Sequence, residues 1–217
     1  MIDRQRVWRD IRHPLATIIL CGVVATTLQG CIEMAIGSAV MGTIAAGDRR
    51  TFGAQTEDKA IVLKGEGRIS NLVGGVGHVN VASFNRKVLL TGEVRDEAMK
   101  TAVEREASNI EGVQSVVNEL VIAPASSLSS RSGDSLITAK VKASFVDTKD
   151  LYANAIKVVT EQGVVYLMGR VAQREGVLAG EVTRNVNGVQ KVVKVFEYID
   201  ENEIKQMTNV PESQNKM

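Results

Sequence analysis

The chain has 217 residues, with 26 Lys or Arg against 25 Asp or Glu, so its formal net charge is +1. This balance lacks the basic excess that marks most nucleic-acid-binding domains. With two cysteines, Cys21 and Cys31, and two histidines, His13 and His78, a disulfide framework is excluded and His/Cys metal sites or nucleophile–base pairs are poorly supplied. We therefore expect no enzymatic activity, no metal, no cofactor and no nucleic-acid partner.

The first 30 residues are typical of a bacterial secretion signal. Four arginines lie before Pro14, and the segment from Leu15 to Leu28 is free of charge. It is shorter than the roughly 20 residues that a spanning helix needs. It ends in Leu28-Gln29-Gly30-Cys31, which resembles the lipobox of bacterial lipoproteins. The resemblance implies cleavage before Cys31, acylation of Cys31 and, since Ile32 rather than Asp follows, an anchor at the periplasmic face of the outer membrane.

The alternative is an uncleaved membrane helix that continues past the lipobox. Residues 15–47 contain a single charge, Glu33, which allows such a helix. The glycines scattered between Gly22 and Gly53 count against it.

The rest of the chain is one module written twice. Lys87–Val94 is matched by Val164–Val171 and Glu111–Val117 by Asn187–Val193, at a spacing of 76 or 77 residues. Between the copies, residues 124–133 are rich in Ser and predict a linker.

Each copy opens on a predicted helix followed by a strand pair. In copy two, Asp134 or Ser135 is the expected N-cap, ahead of the apolar stripe Ile137, Val141 and Phe145. In copy one, two glycines predict a weaker helix, since each costs about 1 kcal/mol against Ala. The expected hairpin turns are at Asn85-Arg86 and Glu161-Gln162-Gly163.

A second helix and a third strand complete each copy. The predicted buried stripes are Ala98, Ala102, Glu106 and Ile110 in copy one and Val177, Val182 and Val186 in copy two. Gly112 and Gly188 are expected to end these helices, before strands over 116–122 and 192–199. The order α-β-β-α-β predicts an α+β fold in which a three-stranded mixed sheet carries two helices on one face.

This pattern resembles the BON domain, and the whole chain resembles outer-membrane lipoproteins with two such domains in tandem. The likeness rests on the Leu-x-Gly-x-Val strands, the Gly-Val-x-x-Val turns and the lipobox. It divides the chain into a signal over 1–30, a lipidated tether over 31–55, domains over 56–123 and 134–200 around the linker, and an unstructured tail over 201–217.

The resemblance implies a non-catalytic protein that binds anionic phospholipids such as phosphatidylglycerol and cardiolipin, and that supports outer-membrane integrity at the division site. It places lipid contact on the first helix of domain two, at five residues: Leu136, Ala139, Lys140, Lys142 and Ala143. One departure is Leu136, where a family member has Trp. Two alternatives stay open: Leu136 packs against the other module or the linker, or the domains dock proteins of the outer-membrane assembly machinery and lipid contact is incidental.

Two other features were weighed as sites. The segment Gly74–His78 is glycine-rich but lacks the Lys-Ser/Thr of a phosphate-binding loop, so a flexible connection is expected. His78 has no second His or thiolate to join it and is predicted to be a strand-edge residue rather than a metal ligand.

Overall fold

The structure is a computed structural model that describes residues 47–208; the predicted signal, the lipobox and Cys31 lie outside the described residues. The described elements form two modules with the predicted order α-β-β-α-β. Module 1 consists of α1 (Phe52–Val73), β1 (His78–Phe84), β2 (Lys87–Val94), α2 (Glu97–Ser108), β3 (Ser115–Asn118) and β4 (Val121–Ile122). Module 2 consists of α3 (Leu128–Asp147), β5 (Ile156–Glu161), β6 (Val164–Val171), α4 (Gln173–Arg184) and β7 (Lys191–Tyr198), and is followed by α5 (Glu201–Thr208).

Both sheets have the predicted mixed topology. The first two strands of each module pair antiparallel, and the third pairs parallel to the second. The hairpin turns lie where the sequence predicts them: φ is 51° and 65° at Asn85 and Arg86, and 50° and 72° at Gln162 and Gly163. Two successive residues with positive φ match the twist of the strands on either side.

The third strand of module 1 departs from the prediction because it is interrupted. Both β3 and β4 pair with β2, and Glu119 and Leu120 separate them. Leu120 is 1% exposed and belongs to the module core, and its backbone N–H donates to the Asn118 side chain at 3.2 Å. Burial of Leu120 therefore breaks the regular ladder that module 2 keeps throughout β7.

The first helices begin earlier than predicted. The N-caps are Thr51 and Ser127, whose side chains accept from the backbone N–H groups of Ala54 and Ser130. The expected N-cap in copy two was wrong: Asp134 lies in the second turn of α3 and is buried. The predicted linker is consequently helical from Leu128 onward.

The second helices also bury different side chains from those predicted. In α2, Val103 and Ala107 are buried, with Met99 packed beside them, so the stripe that was expected to include Ala98 and Glu106 is wrong by one position. In α4 the buried residues include Ala179 and Thr183, whereas Val177 is 42% exposed. Small side chains let these helices approach the sheets closely, which an apolar count does not reveal.

The ends of these helices and of module 2 need correction as well. The helices end at Ser108 and Arg184, and Gly112 and Gly188 lie in the turns beyond, with φ of 91° and 102°. The predicted unstructured tail begins as helix α5, which is held to module 2 by an ion pair of 2.7 Å between Arg170 and Glu203.

The two sheets pack against each other, with the helices on the outer faces. One apolar core lies beneath α1 and α2 and another beneath α3 and α4. A third joins the facing sides of the sheets through Ala82, Phe84 and Leu89 of module 1 and Val159, Tyr166, Met168 and Val195 of module 2. Each first helix thus keeps its outer face directed away from the other module.

Candidate functional site

The five residues predicted to contact lipid share the outer face of α3. Leu136, Ala139, Lys140, Lys142 and Ala143 are all exposed, and Leu136 is 64% exposed. Leu136 therefore does not pack against the other module or the linker. The structure adds Leu128 and Val146 to the same side of the helix, 78% and 74% exposed. Because positions 128, 136, 139, 143 and 146 fall within about 80° around a helix of 100° per residue, these side chains form one apolar stripe.

Two lysines flank this stripe without ionic partners. Neither Lys140 nor Lys142 lies within 4.0 Å of a carboxylate oxygen among residues 47–208. Their charges are thus available to an external anion. We call the stripe and these two lysines the α3 outer face.

A buried carboxylate holds α3 against the sheet and so fixes the direction of this face. Asp134 is 6% exposed, and its oxygens accept from the backbone N–H groups of Gln162 at 2.9 Å and Gly163 at 2.8 Å. Both donors lie in the β5–β6 turn, where they have no partner in the strand ladder. The helix is therefore pinned to the hairpin as well as packed on it.

Module 1 contains the same device. Asp58 is 3% exposed and accepts from the backbone N–H groups of Asn85 at 2.7 Å and Arg86 at 2.8 Å. It also accepts from the Ser83 hydroxyl and pairs with Arg50. Sequence reasoning missed this role, although the repeat alignment of Asp58 with Asp134 was the signal that could have found it.

The last residues of the predicted tether are fastened to module 2. Arg49 donates two hydrogen bonds of 2.6 Å to the Glu175 carboxylate, and both side chains are buried. Burial raises the pKa of Glu175, but hydrogen bonds from Arg49 and from the Ala172 backbone outweigh it, so this pKa lies below the ordinary value. The chain between an acylated Cys31 and module 1 would thus run through a fixed point on module 2.

A second cluster of polar side chains lies where the two sheets face each other. His78 begins β1 opposite Glu93 of β2, and Glu161 ends β5 of module 2. The His78 Nδ1 atom is 3.7 Å from a Glu93 oxygen and 3.8 Å from a Glu161 oxygen. It is buried and has no hydrogen-bond partner.

The electrostatics of this cluster differ from those of the α3 outer face. Burial, followed by the charges of Glu93 and Asp134, raises the pKa of Glu161 to about 7. Burial and the nearby Arg131 lower the pKa of His78, which keeps the imidazole neutral at pH 7. The sequence analysis missed this cluster because it sought only His and Cys as companions for His78.

One feature bears on how the described residues could meet a bilayer. Within residues 47–208, no helix combines the length and the apolar character needed to cross a membrane. Any lipid contact of this part is therefore a surface contact.

Comparison with known proteins identifies both modules. The family model described as "BON domain" matches residues 67–124 and 133–200. The chain is 37% identical over 176 residues to the outer membrane lipoprotein DolP of Haemophilus influenzae, covering 80% of this chain and 91% of that protein. It is 31% identical to a 21 kDa hemolysin of Actinobacillus pleuropneumoniae, over 70% of this chain and 79% of that protein. It is also 30% identical to the osmotically inducible protein Y of Escherichia coli, over 52% of this chain and 58% of that protein.

Proposed function

The chain belongs to the BON-domain family, and from this premise we propose that it is a non-catalytic outer-membrane lipoprotein that binds anionic phospholipid through the α3 outer face. In this proposal Cys31 carries the acyl anchor, and the contact made by α3 helps to maintain outer-membrane integrity.

The observation that carries the proposal is an exposed apolar stripe flanked by unpaired lysines on a firmly held helix. Leu136 and Val146 stand out from the helix, with the small Ala139 and Ala143 between them. Small residues let the helix lie close to a flat surface while the larger side chains enter the headgroup region. Full burial of a Leu side chain contributes about 1.5–3 kcal/mol.

The lysines supply the preference for anionic lipid. Each basic residue near an anionic membrane surface contributes about 1 kcal/mol. Lys140 and Lys142 need not give up an existing ion pair to meet phosphates, so this contribution is not offset by the loss of a partner. Together they account for about a 30-fold difference in binding between anionic and neutral vesicles.

The acyl anchor makes a weak helix contact sufficient. Three acyl chains on Cys31 hold the protein at the bilayer, and the helix then binds as an intramolecular event at a high effective concentration. Leu136 in place of a Trp, which would prefer the interface more strongly, is tolerable under these conditions.

The test must separate the helix contact from the anchor. In the acylated chain Cys21 is removed and Cys31 is modified, so Ala143→Cys introduces a single free thiol for a polarity-sensitive dye. We expect the emission of this dye to shift to the blue in vesicles containing phosphatidylglycerol or cardiolipin, but not in phosphatidylcholine vesicles. Gly67→Cys provides the matched control, since Gly67 is the exposed position of α1 that aligns with Ala143.

Charge reversal completes the experiment. Lys140→Glu with Lys142→Glu should abolish the shift at position 143, whereas the dye at position 67 should respond to neither lipid nor variant. A dye at position 143 that ignores lipid composition would contradict the proposal. Crosslinking from position 143 to one stoichiometric protein, unaffected by the lysine changes, would instead support docking to outer-membrane assembly proteins.

The proposal extends to the place of the protein in the cell. If the α3 outer face directs it to the division site, a fluorescent fusion carrying the two lysine reversals should spread evenly around the envelope. Enrichment at midcell that persists in this variant would separate localisation from lipid contact.

A further inference from the structure

The polar cluster between the sheets has the ligand set of a metal centre. We infer that His78, Glu93 and Glu161 bind a divalent zinc ion that clamps module 1 to module 2. One imidazole nitrogen and two carboxylate oxygens are ligands that zinc accepts, and a water molecule would complete four-coordination. This inference is independent of the lipid contact proposed for α3.

Strand parity explains why these three side chains meet. Ala82 and Phe84 of β1 face module 2, so His78 at the same parity faces it as well. On β2, Leu89 faces module 2, and Glu93 shares its parity. On β5, Val159 faces module 1 and Glu161 follows two residues later. The apolar contact between the sheets therefore ends in a cluster to which both modules contribute ligands.

The distances between the three side chains suit a small cation. The ligand atoms all lie within 4.8 Å of one another, and His78 Nδ1 is 3.7 Å and 3.8 Å from the two carboxylates. Bonds of 2.0–2.1 Å at tetrahedral angles place ligand atoms about 3.4 Å apart, so a shift of about 0.4 Å would bring His78 into line with both carboxylates.

The charges of the cluster favour a bound cation. Glu93 is fully buried and Glu161 is 7% exposed, and in the described part of the chain no Lys or Arg lies within ion-pair distance of either. Two buried carboxylates without a cation are costly, and their proximity to each other adds to that cost. A zinc ion with two carboxylates and a neutral imidazole has no net charge, which removes the conflict.

The surrounding contacts orient the ligands without saturating them. Glu93 accepts from the Gln162 side chain and from the Ser126 backbone N–H at 3.0 Å, and Glu161 accepts from the Thr91 hydroxyl at 3.4 Å. Each carboxylate keeps lone pairs for a metal. Arg131 acts electrostatically on the cluster, but its guanidinium donates to Ser126 rather than to either Glu.

A path for the ion and its water exists. His78 and Glu161 line a cavity of about 480 Å³, whose wall also includes Asn80, Thr138 and Thr160. The half-exposed ring of His78 borders this cavity, while its Nδ1 atom points toward the carboxylates. A metal site needs such access, since the ion must reach ligands that folding has already buried.

The experiment is calorimetric titration of the acylated full chain in detergent with Zn²⁺. We expect one zinc per chain and a melting temperature that rises with zinc concentration, because the folded state alone assembles the site. Mg²⁺, which prefers oxygen ligands and keeps its waters, should bind far more weakly. Glu161→Gln and His78→Gln should each weaken zinc binding more than tenfold, since loss of even an outer-shell partner costs about 10–100-fold.

Glu181→Gln removes an exposed carboxylate of α4 and serves as the matched control, with zinc binding unchanged. Because His13 precedes Cys31, His78 is the sole imidazole of the acylated chain, and zinc should move its single set of ring proton resonances. Absence of zinc binding would overturn the inference. So would zinc binding that survives both ligand substitutions or that leaves the His78 resonances in place.

Discussion

The first helices of the two modules carry the same inner face and different outer faces. At positions 76 residues apart, α1 buries Asp58, Ile61, Gly65 and Ile69, and α3 buries Asp134, Val141 and Phe145, with Ile137 packed beside them. Each series follows the i, i+3, i+4 spacing that turns one side of a helix to a sheet. The inner face is therefore set by the need to build the module.

The outer faces show what the fold leaves free. Where α3 has Leu136, Lys142 and Val146, the aligned residues of α1 are Ala60, Glu66 and Ser70. The exposed Lys64 and Arg68 of α1 are paired with Glu111 and Glu106, whereas Lys140 and Lys142 have no such partners in the described residues. The comparison teaches that one helix closes its charges within the module and the other offers them outward.

The largest effect should come from breaking what the two helices share. Asp58→Ala and Asp134→Ala each leave two backbone donors of a hairpin turn without an acceptor. We expect each to reduce the free energy of unfolding by about 3 kcal/mol, measured by urea denaturation. Asp58→Ala should cost more, since Arg50 and Ser83 also lose their partner.

The conservative variants sharpen this test. Asp58→Asn and Asp134→Asn keep one acceptor oxygen and should recover part of the loss. Equal stability of all four variants and the parent would mean that the buried carboxylates do not hold the turns, and the shared inner face would then rest on apolar packing alone.

These aspartates mark the limit of what sequence patterns predict. The order of elements, both hairpin turns and the repeat followed from apolar periodicity and turn residues, because those signals are local. The role of Asp134 did not, because its partners Gln162 and Gly163 are brought to it only by the packing of the helix on the hairpin. An Asp near a helix start is most simply interpreted as a cap, and that interpretation was wrong here.

The metal-ligand cluster was missed for a related reason. His78 and Glu93 belong to one hairpin, but Glu161 reaches them only when two sheets stack. The outer face of α3 was easier to predict, since rotation about a single helix axis depends on no distant residue. Its exposure follows the sequence, while the contact with lipid stays a prediction.

A second, smaller effect probes where the modules differ at their shared interface. Glu161 aligns with Phe84 of module 1, so one copy places a carboxylate where the other places an aromatic ring. The pKa of Glu161 is raised to about 7 in the folded state, first by burial and then by Glu93 and Asp134. The folded state thus holds this proton more tightly than the unfolded chain, and stability should fall as pH rises from about 4.5 to 7.

Glu161→Gln removes this titration and isolates it. In chelator, we expect the variant to exceed the parent in free energy of unfolding above pH 7, with the difference fading toward pH 4, where the parent carboxyl is protonated. The effect should be smaller than that of Asp134→Ala, because the adjoining cavity admits solvent to Glu161. A difference that grows toward acid pH would show that Glu161 is held as a carboxylate and would contradict the assigned direction.

The smallest effect separates the glycines of the first helices that packing requires from those that it does not. A Cβ at Gly65 would lie 3.0 Å from Val81 and 3.3 Å from Ile110, whereas one at Gly67 in α1 or at Gly133 in α3 would meet nothing within 4 Å. Gly67→Ala and Gly133→Ala should therefore each add about 0.5–1 kcal/mol to the free energy of unfolding, and Gly65→Ala should not. Thermal denaturation of the three variants decides this. A gain at Gly67 matched by an equal gain at Gly65 would mean that the inner face of α1 has room to spare, so that the glycine aligned with the fully buried Val141 is not there for close packing.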